Sequence, residues 1–178
     1  MDRWNEIDEF HSFHDDTIEV KRAGRVIWAP KGAGVDWKVI PQAPKPAATE
    51  KLQAIQARKL ARKFSVKAIY HREDGQAWNL RLVPTPVHKY STNDGAQVVS
   101  GYLHVFCRAT DPETMLALEV RRLPDGTFGW HFVAANFSNA GPHLVFDDQE
   151  VWNEDPARFG RTYRHAGFQP RSNFSLAE

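Results

Sequence analysis

Six side chains in the second half of the chain could act together: Tyr102, His104 and Arg108 in one strand-like run, Glu119 and Arg121 in the next, and His131 in a third. Their alignment depends on two turns. If Thr110–Glu113 forms a loop, Ala109 faces Thr114 and His104 faces Glu119. If Pro124–Gly126 forms a loop, Leu123 faces Thr127 and Glu119 faces His131. His104, Glu119 and His131 then form a row across three strands, with neighbouring Cβ atoms about 4.5–5.5 Å apart. Two imidazoles and a carboxylate can hold a metal ion with positions left open for substrate. They can also act as an acid/base set, because a carboxylate raises the pKa of an adjacent imidazole.

Parity extends the row to a face. Leu103, Val105, Cys107, Leu116, Leu118, Val120, Phe128, Trp130 and Phe132 would form the core face. The other face would show Tyr102, His104, Phe106, Arg108, Ala117, Glu119, Arg121, Gly129, His131 and Val133. That mixture of aromatic, small and ionisable groups suits a ligand-binding concavity. The expected ligand-binding residues are therefore Tyr102, His104, Arg108, Glu119, Arg121 and His131, and the expected metal ligands are His104, Glu119 and His131. The same residues also suit a solvated polar face with a cross-strand ion pair. A slip of one residue in register would disperse the row.

Other motifs carry less. His11 and His14 with Asp15 and Asp16 are metal-ligand types, but they sit in a polar terminal stretch. Pro30–Gly34 lacks the spacing of a phosphate loop, and neither a Gly-x-Ser-x-Gly elbow nor a His-Glu-x-x-His helix is present. Cys107 is the single cysteine, which excludes an internal disulfide and a Cys-based zinc site within one chain. Mid-strand among apolar neighbours, it reads as a buried inert thiol. Arg158, Arg161, Arg164 and Arg171 alternate with Phe159, Tyr163, Phe168 and Phe174. Such a pattern can stack on single-stranded nucleic acid, but it also pins an irregular tail to its own domain.

The elements that would position these residues follow from pattern. Thr17–Lys21 and Arg25–Trp28 flank Ala23-Gly24 as a hairpin, and Asp36–Ile40 offers a further strand. Three prolines within Pro41–Ala48 forbid helix and sheet interior and read as a linker. Thr49 can cap a helix with Glu50 in its first turn, with an apolar stripe of Leu52, Ile55, Leu60 and Phe64 and a basic opposite face. Strands are expected over 66–71, 77–83, 97–109, 114–122, 127–134 and 143–152, mostly as a meander. Pro84 and Pro86 require a bend or an edge. The expected fold class is α+β: one main helix packed on a curved antiparallel sheet of five to six strands, with a Pro-linked N-terminal hairpin region. The expected organisation is an acidic N-terminal segment over 1–48, an α+β main domain over 49–152, and a C-terminal tail over 153–178.

Leu80–Tyr90, Asp94–Ala96 and Thr110–Glu113 resemble landmarks of a bacterial family of uncharacterised proteins. In that family an LRLLPQPLYRY-like segment precedes a DGALFAFVQGTDPE-like hairpin. The resemblance covers about residues 50 to 135. It implies a domain boundary and no chemistry. The longer strand here, with Tyr102, His104 and Cys107, departs from the family pattern.

A formal net charge of +1 argues against a general nucleic-acid binder. No apolar run approaches the ~20 residues of a spanning helix, and the N-terminal residues are acidic, so a cytoplasmic protein without membrane contact is expected. The sequence names no cofactor. It favours a binding or interaction domain with an unknown protein or small ligand as partner, leaves a homodimer through exposed strand edges open, and keeps a small enzyme or metal-binding protein as the alternative.

Overall fold

The computed structural model describes residues 12–13, 18–29, 35–70, 75–92, 97–138 and 140–154. The His11/His14 cluster as a unit, the Pro30–Gly34 loop and the Arg/aromatic tail lie outside them. The chain divides into two compact units, one spanning Asp36–Pro156 and the other holding the N-terminal hairpin.

In the hairpin, β1 (Val20–Arg22) pairs with β2 (Arg25–Trp28) across Ala23 and Gly24. Both turn residues take positive φ, 47° and 77°. That backbone matches the twist of a tight hairpin, and glycine adopts it without cost.

The larger unit contains β3 (Lys38–Val39), α1 (Glu50–Ala61), β4 (Phe64–Tyr70), β5 (Gln76–Leu82), β6 (His88–Ser91), β7 (Val98–Arg108), β8 (Asp111–Arg122), β9 (Phe128–Asn136), β10 (Gly141–Phe146) and β11 (Gln149–Asn153). Together they form one helix and a nine-stranded antiparallel sheet ordered β11-β10-β4-β5-β7-β8-β9-β3, with β6 also on β7. The sheet is larger than the five to six strands expected, for three reasons. β3 joins β9 through Lys38↔Phe132 and Val39↔His131 instead of standing apart. The run 143–152 folds back on itself at Asp147 and Asp148, both with positive φ. β6 re-forms after the proline bend and rejoins β7.

The sheet curls into a half-barrel. β7, β8 and β9 are a meander, but β10 pairs with β4 rather than with β9. Curling also brings the edge strands β3 and β11 together, where the Lys38 Nζ donates to the Val151 carbonyl at 3.0 Å. No helix among the described residues is long and apolar enough to cross a membrane.

The helix forms where its cap predicts. Thr49 has extended φ and ψ, and its hydroxyl accepts from the Leu52 N–H. The buried stripe is Gln53, Ala57, Leu60 and Ala61, whereas Leu52 is half exposed. Gln53 tolerates burial because its amide is satisfied. Its Oε1 accepts from Ser100 Oγ at 2.8 Å and its Nε2 donates to the Ala47 carbonyl at 2.7 Å. Gln56 bonds Ala47 and Lys45 in the same way, so the proline-rich stretch is tied to the helix. Ile40, Leu60, Phe64, Leu116, Leu118, Trp130, Phe132 and Phe146 belong to one continuous core.

Candidate functional site

The β8–β9 register is the expected one, with Glu119 opposite His131. The β7–β8 register is not. The turn is Ala109-Thr110, with Arg108 opposite Asp111, and a bulge interrupts the ladder between Phe106 and Cys107. His104 therefore faces Leu116, and Gly101 takes the place opposite Glu119. The two-residue turn alone displaces the pairing by four residues, which keeps the faces; the bulge makes it three, so Ser100 to Phe106 change face relative to Thr114 to Val120. Two local features cause it: Ala109 adopts a φ of 52°, a left-handed conformation that alanine rarely supplies and that tightens the turn, and Glu113, the extra residue at the bulge, changes the faces.

The row of His104, Glu119 and His131 is consequently not formed. The six expected ligand-binding residues separate into two groups of three. Tyr102, His104 and Arg108 lie on the inner, core-facing side of the sheet, and Glu119, Arg121 and His131 on the outer side. The expected core residues Leu103, Val105 and Cys107 share the outer side with them. Among the described residues, no three His, Cys, Asp or Glu side chains gather where a metal ion could be held.

The outer group is a packed electrostatic cluster. The Arg121 guanidinium donates to Glu119 Oε2 at 2.8 Å, and both side chains are nearly buried. Tyr90, opposite Gly101 on β6, donates its hydroxyl to Glu119 Oε1. Burial and the Glu119 carboxylate push the Tyr90 phenol well above its ordinary range, so it stays a neutral donor. Trp37 lies 4.8 Å from the Arg121 guanidinium carbon, in cation–π contact. His131 sets Nδ1 3.3 Å from the Gly129 carbonyl. Burial lowers its pKa, and Arg121 adds to that.

The inner group has a different character. α1 meets β7 toward its N-terminal half, through Ser100 and through Tyr102, whose hydroxyl donates to the Glu50 carbonyl at 3.3 Å. Further along β7 the inner side turns polar. The Arg108 guanidinium carbon lies 4.5 Å from the Tyr70 ring centre and 4.2 Å from that of Trp78. Across the bulge, β8 has the extra residue Glu113 next to Thr114. A bulge of this kind turns consecutive side chains toward one side, which brings the Glu113 carboxylate to the inner face with Thr114.

Five buried polar atoms at this end lack a well-formed hydrogen bond among the described residues: Tyr70 OH, both ring nitrogens of His104, Glu113 Oε2 and Thr114 Oγ1. Tyr70 OH lies within reach of the Glu113 carboxylate and the Arg108 guanidinium, and His104 within reach of the Val83 backbone, but without good hydrogen-bond geometry. Register places Thr114 opposite Phe106, one step along the face from His104, and the Glu113 carboxylate acts directly on Tyr70. Burial pushes the His104 imidazole down to about 4, against a smaller upward pull from the Val83 backbone. It is neutral at physiological pH and offers one donor and one acceptor. Burial and Glu113 push the Tyr70 phenol up, so it too is a neutral donor.

Tyr70, Trp78, Glu113, Thr114, Tyr90 and Trp37 were not among the residues singled out from sequence. The Thr-Asp-Pro-Glu stretch held the usable signal, since a proline within a strand accompanies bulges. Comparison with known protein families, with curated proteins and with solved structures finds no match.

Proposed function

We propose that this protein is a small-molecule binding domain, with its site on the inner face of the curled sheet among Tyr70, Trp78, His104, Arg108, Glu113 and Thr114. The observation that carries the reading is the set of buried polar atoms without well-formed hydrogen bonds gathered at one end of that face. Each costs about 1–3 kcal/mol when left unsatisfied, and native interiors leave few such groups. Their clustering supports a bound molecule that completes them. The set combines donors (Tyr70, Thr114, one His104 nitrogen) with acceptors (Glu113, the other His104 nitrogen). It suits a small hydrogen-bonding molecule with groups of both kinds, held against the aromatic-stacked Arg108. A cytoplasmic location belongs to this proposal, supported by the lone, buried Cys107 thiol.

The test is a thermal-shift screen of amides, carboxylic acids, sugars and nucleobases against the wild type and Thr114→Val. The expected result is at least one compound that, near a hundredfold excess over its Kd, raises the wild-type Tm on the order of 5–10 °C. Thr114→Val should lose most of that shift. If no compound shifts the wild type, and the variant is simply more stable, the polar cluster is not a binding site.

A further inference from the structure

We infer that the groove between α1 and β6 docks an extended acidic peptide, added as a strand to the open edge of β6. The groove, about 390 Å³, is lined by Glu50, Lys51, Ala54, Ile55, Arg58 and Lys89. Its lining combines three cations and one carboxylate with apolar Ala54 and Ile55. The occupant should therefore be acidic and carry enough apolar surface to cover Ala54 and Ile55.

The edge of β6 makes the occupant a peptide rather than a simple anion. Among the described residues β6 pairs with β7 and with no other strand. The cause lies in the proline bend: the chain stays on β7 through the Val83 N–H, bends at Pro84 and Pro86, and returns at Val87 to run into β6, beyond the reach of the β4 pairing. The Thr92 N–H bonds the Val99 carbonyl in the register of the β6–β7 pairs, whereas the Val87 N–H bond to the Leu103 carbonyl is one residue out of it; within that register bonded positions alternate along an antiparallel strand. Tyr90 therefore also turns its backbone toward β7, while Lys89 and Ser91 turn theirs outward. Those groups are a template for an added strand. Lys89 is paired with Tyr102, whose hydroxyl reaches the Glu50 carbonyl, so Lys89 shares the helix-facing side of the sheet. Alternate side chains of an added strand would face the same way. Acidic residues at every second position of the peptide would then meet Lys51, Arg58 and Lys89.

A library of random peptides displayed on phage and selected on the full chain tests this. Enriched peptides should carry Asp or Glu at alternating positions, and a synthetic copy should slow hydrogen exchange at the Lys89 and Ser91 amides. Lys89→Glu with Arg58→Glu should weaken that peptide at least about tenfold, and Thr114→Val should leave it unchanged, which separates this site from the inner-face site. Both charge reversals are at exposed positions and should leave stability nearly unaltered. Enrichment without acidic alternation, protection of other amides, or no enriched peptide overturns the inference. Equal binding of a heparin oligosaccharide without protection of Lys89 and Ser91 would mean that the groove reads charge alone, and would overturn it too.

Discussion

His104 brings two hydrogen-bonding nitrogens into a fully buried position with no well-formed hydrogen bond among the described residues. Its native pKa of about 4 lies below the ordinary 6.5. Between those values the unfolded chain binds more protons than the native one. Stability is therefore fully present above pH 6.5 and is lost as pH falls toward 4, by about 3 kcal/mol in all. His131, also lowered, acts in the same direction. Urea unfolding at pH 7 and pH 4.5 should show this loss, and His104→Leu should remove most of it. A variant with the wild-type pH dependence would show that His104 is not the titrating group. The outer cluster makes a second prediction. Arg121→Met leaves the Glu119 carboxylate buried without its ion-pair partner and should cost about 3–5 kcal/mol by urea unfolding. Polar and aromatic residues of both clusters, His104 and Arg108 in one and Glu119, Arg121 and His131 in the other, stood out in the sequence, although as one face rather than two. Their partners did not, because Tyr70, Trp78, Tyr90 and Trp37 come from other parts of the chain.

At the scale of elements, what a side chain can do depends on register. A turn at Pro124–Gly126 predicted the β8–β9 pairing correctly, because the Asp-Gly it contains belongs in a turn; Gly126 takes a φ of 83°. The β7–β8 pairing failed because Ala109 adopts the conformation expected of glycine and because Glu113 is bulged out of the ladder. The proline bend at Pro84 and Pro86 was legible, but the return of the chain as β6 was not. That return places the Tyr90 ring directly over Gly101. A Cβ there would lie 2.0 Å from the Tyr90 Cζ. Gly101→Ala should push the ring away from Glu119 and break the same hydrogen bond that Tyr90→Phe removes. Each change should cost roughly 1.5–3 kcal/mol, the range for a hydrogen bond to a charged group. The double variant should cost clearly less than the sum, because both act through one contact. Strict additivity in denaturant unfolding would show that the ring does not link β6 to β8.

Across the whole molecule, the helix-plus-antiparallel-sheet plan follows from local signals: the Thr49 cap, the strand runs and the turns between them. The extent of curling does not, because it depends on long-range pairings such as β10 with β4 and on the meeting of β3 with β11. Curling gives the sheet an inner face long enough for α1 to cover one part while a polar cluster occupies another. A flat meander of five or six strands would have left His104 and Arg108 at a surface, where water would satisfy them. In the half-barrel His104 is enclosed near Thr114, and the interior requires a partner for such buried polar groups. The most direct measurement of that requirement is native mass spectrometry of the protein purified without denaturation. The account predicts an additional small-molecule mass on the wild-type chain, lost on unfolding and absent from Thr114→Val. The bare chain mass in both proteins, with Thr114→Val the more stable of the two, would contradict it.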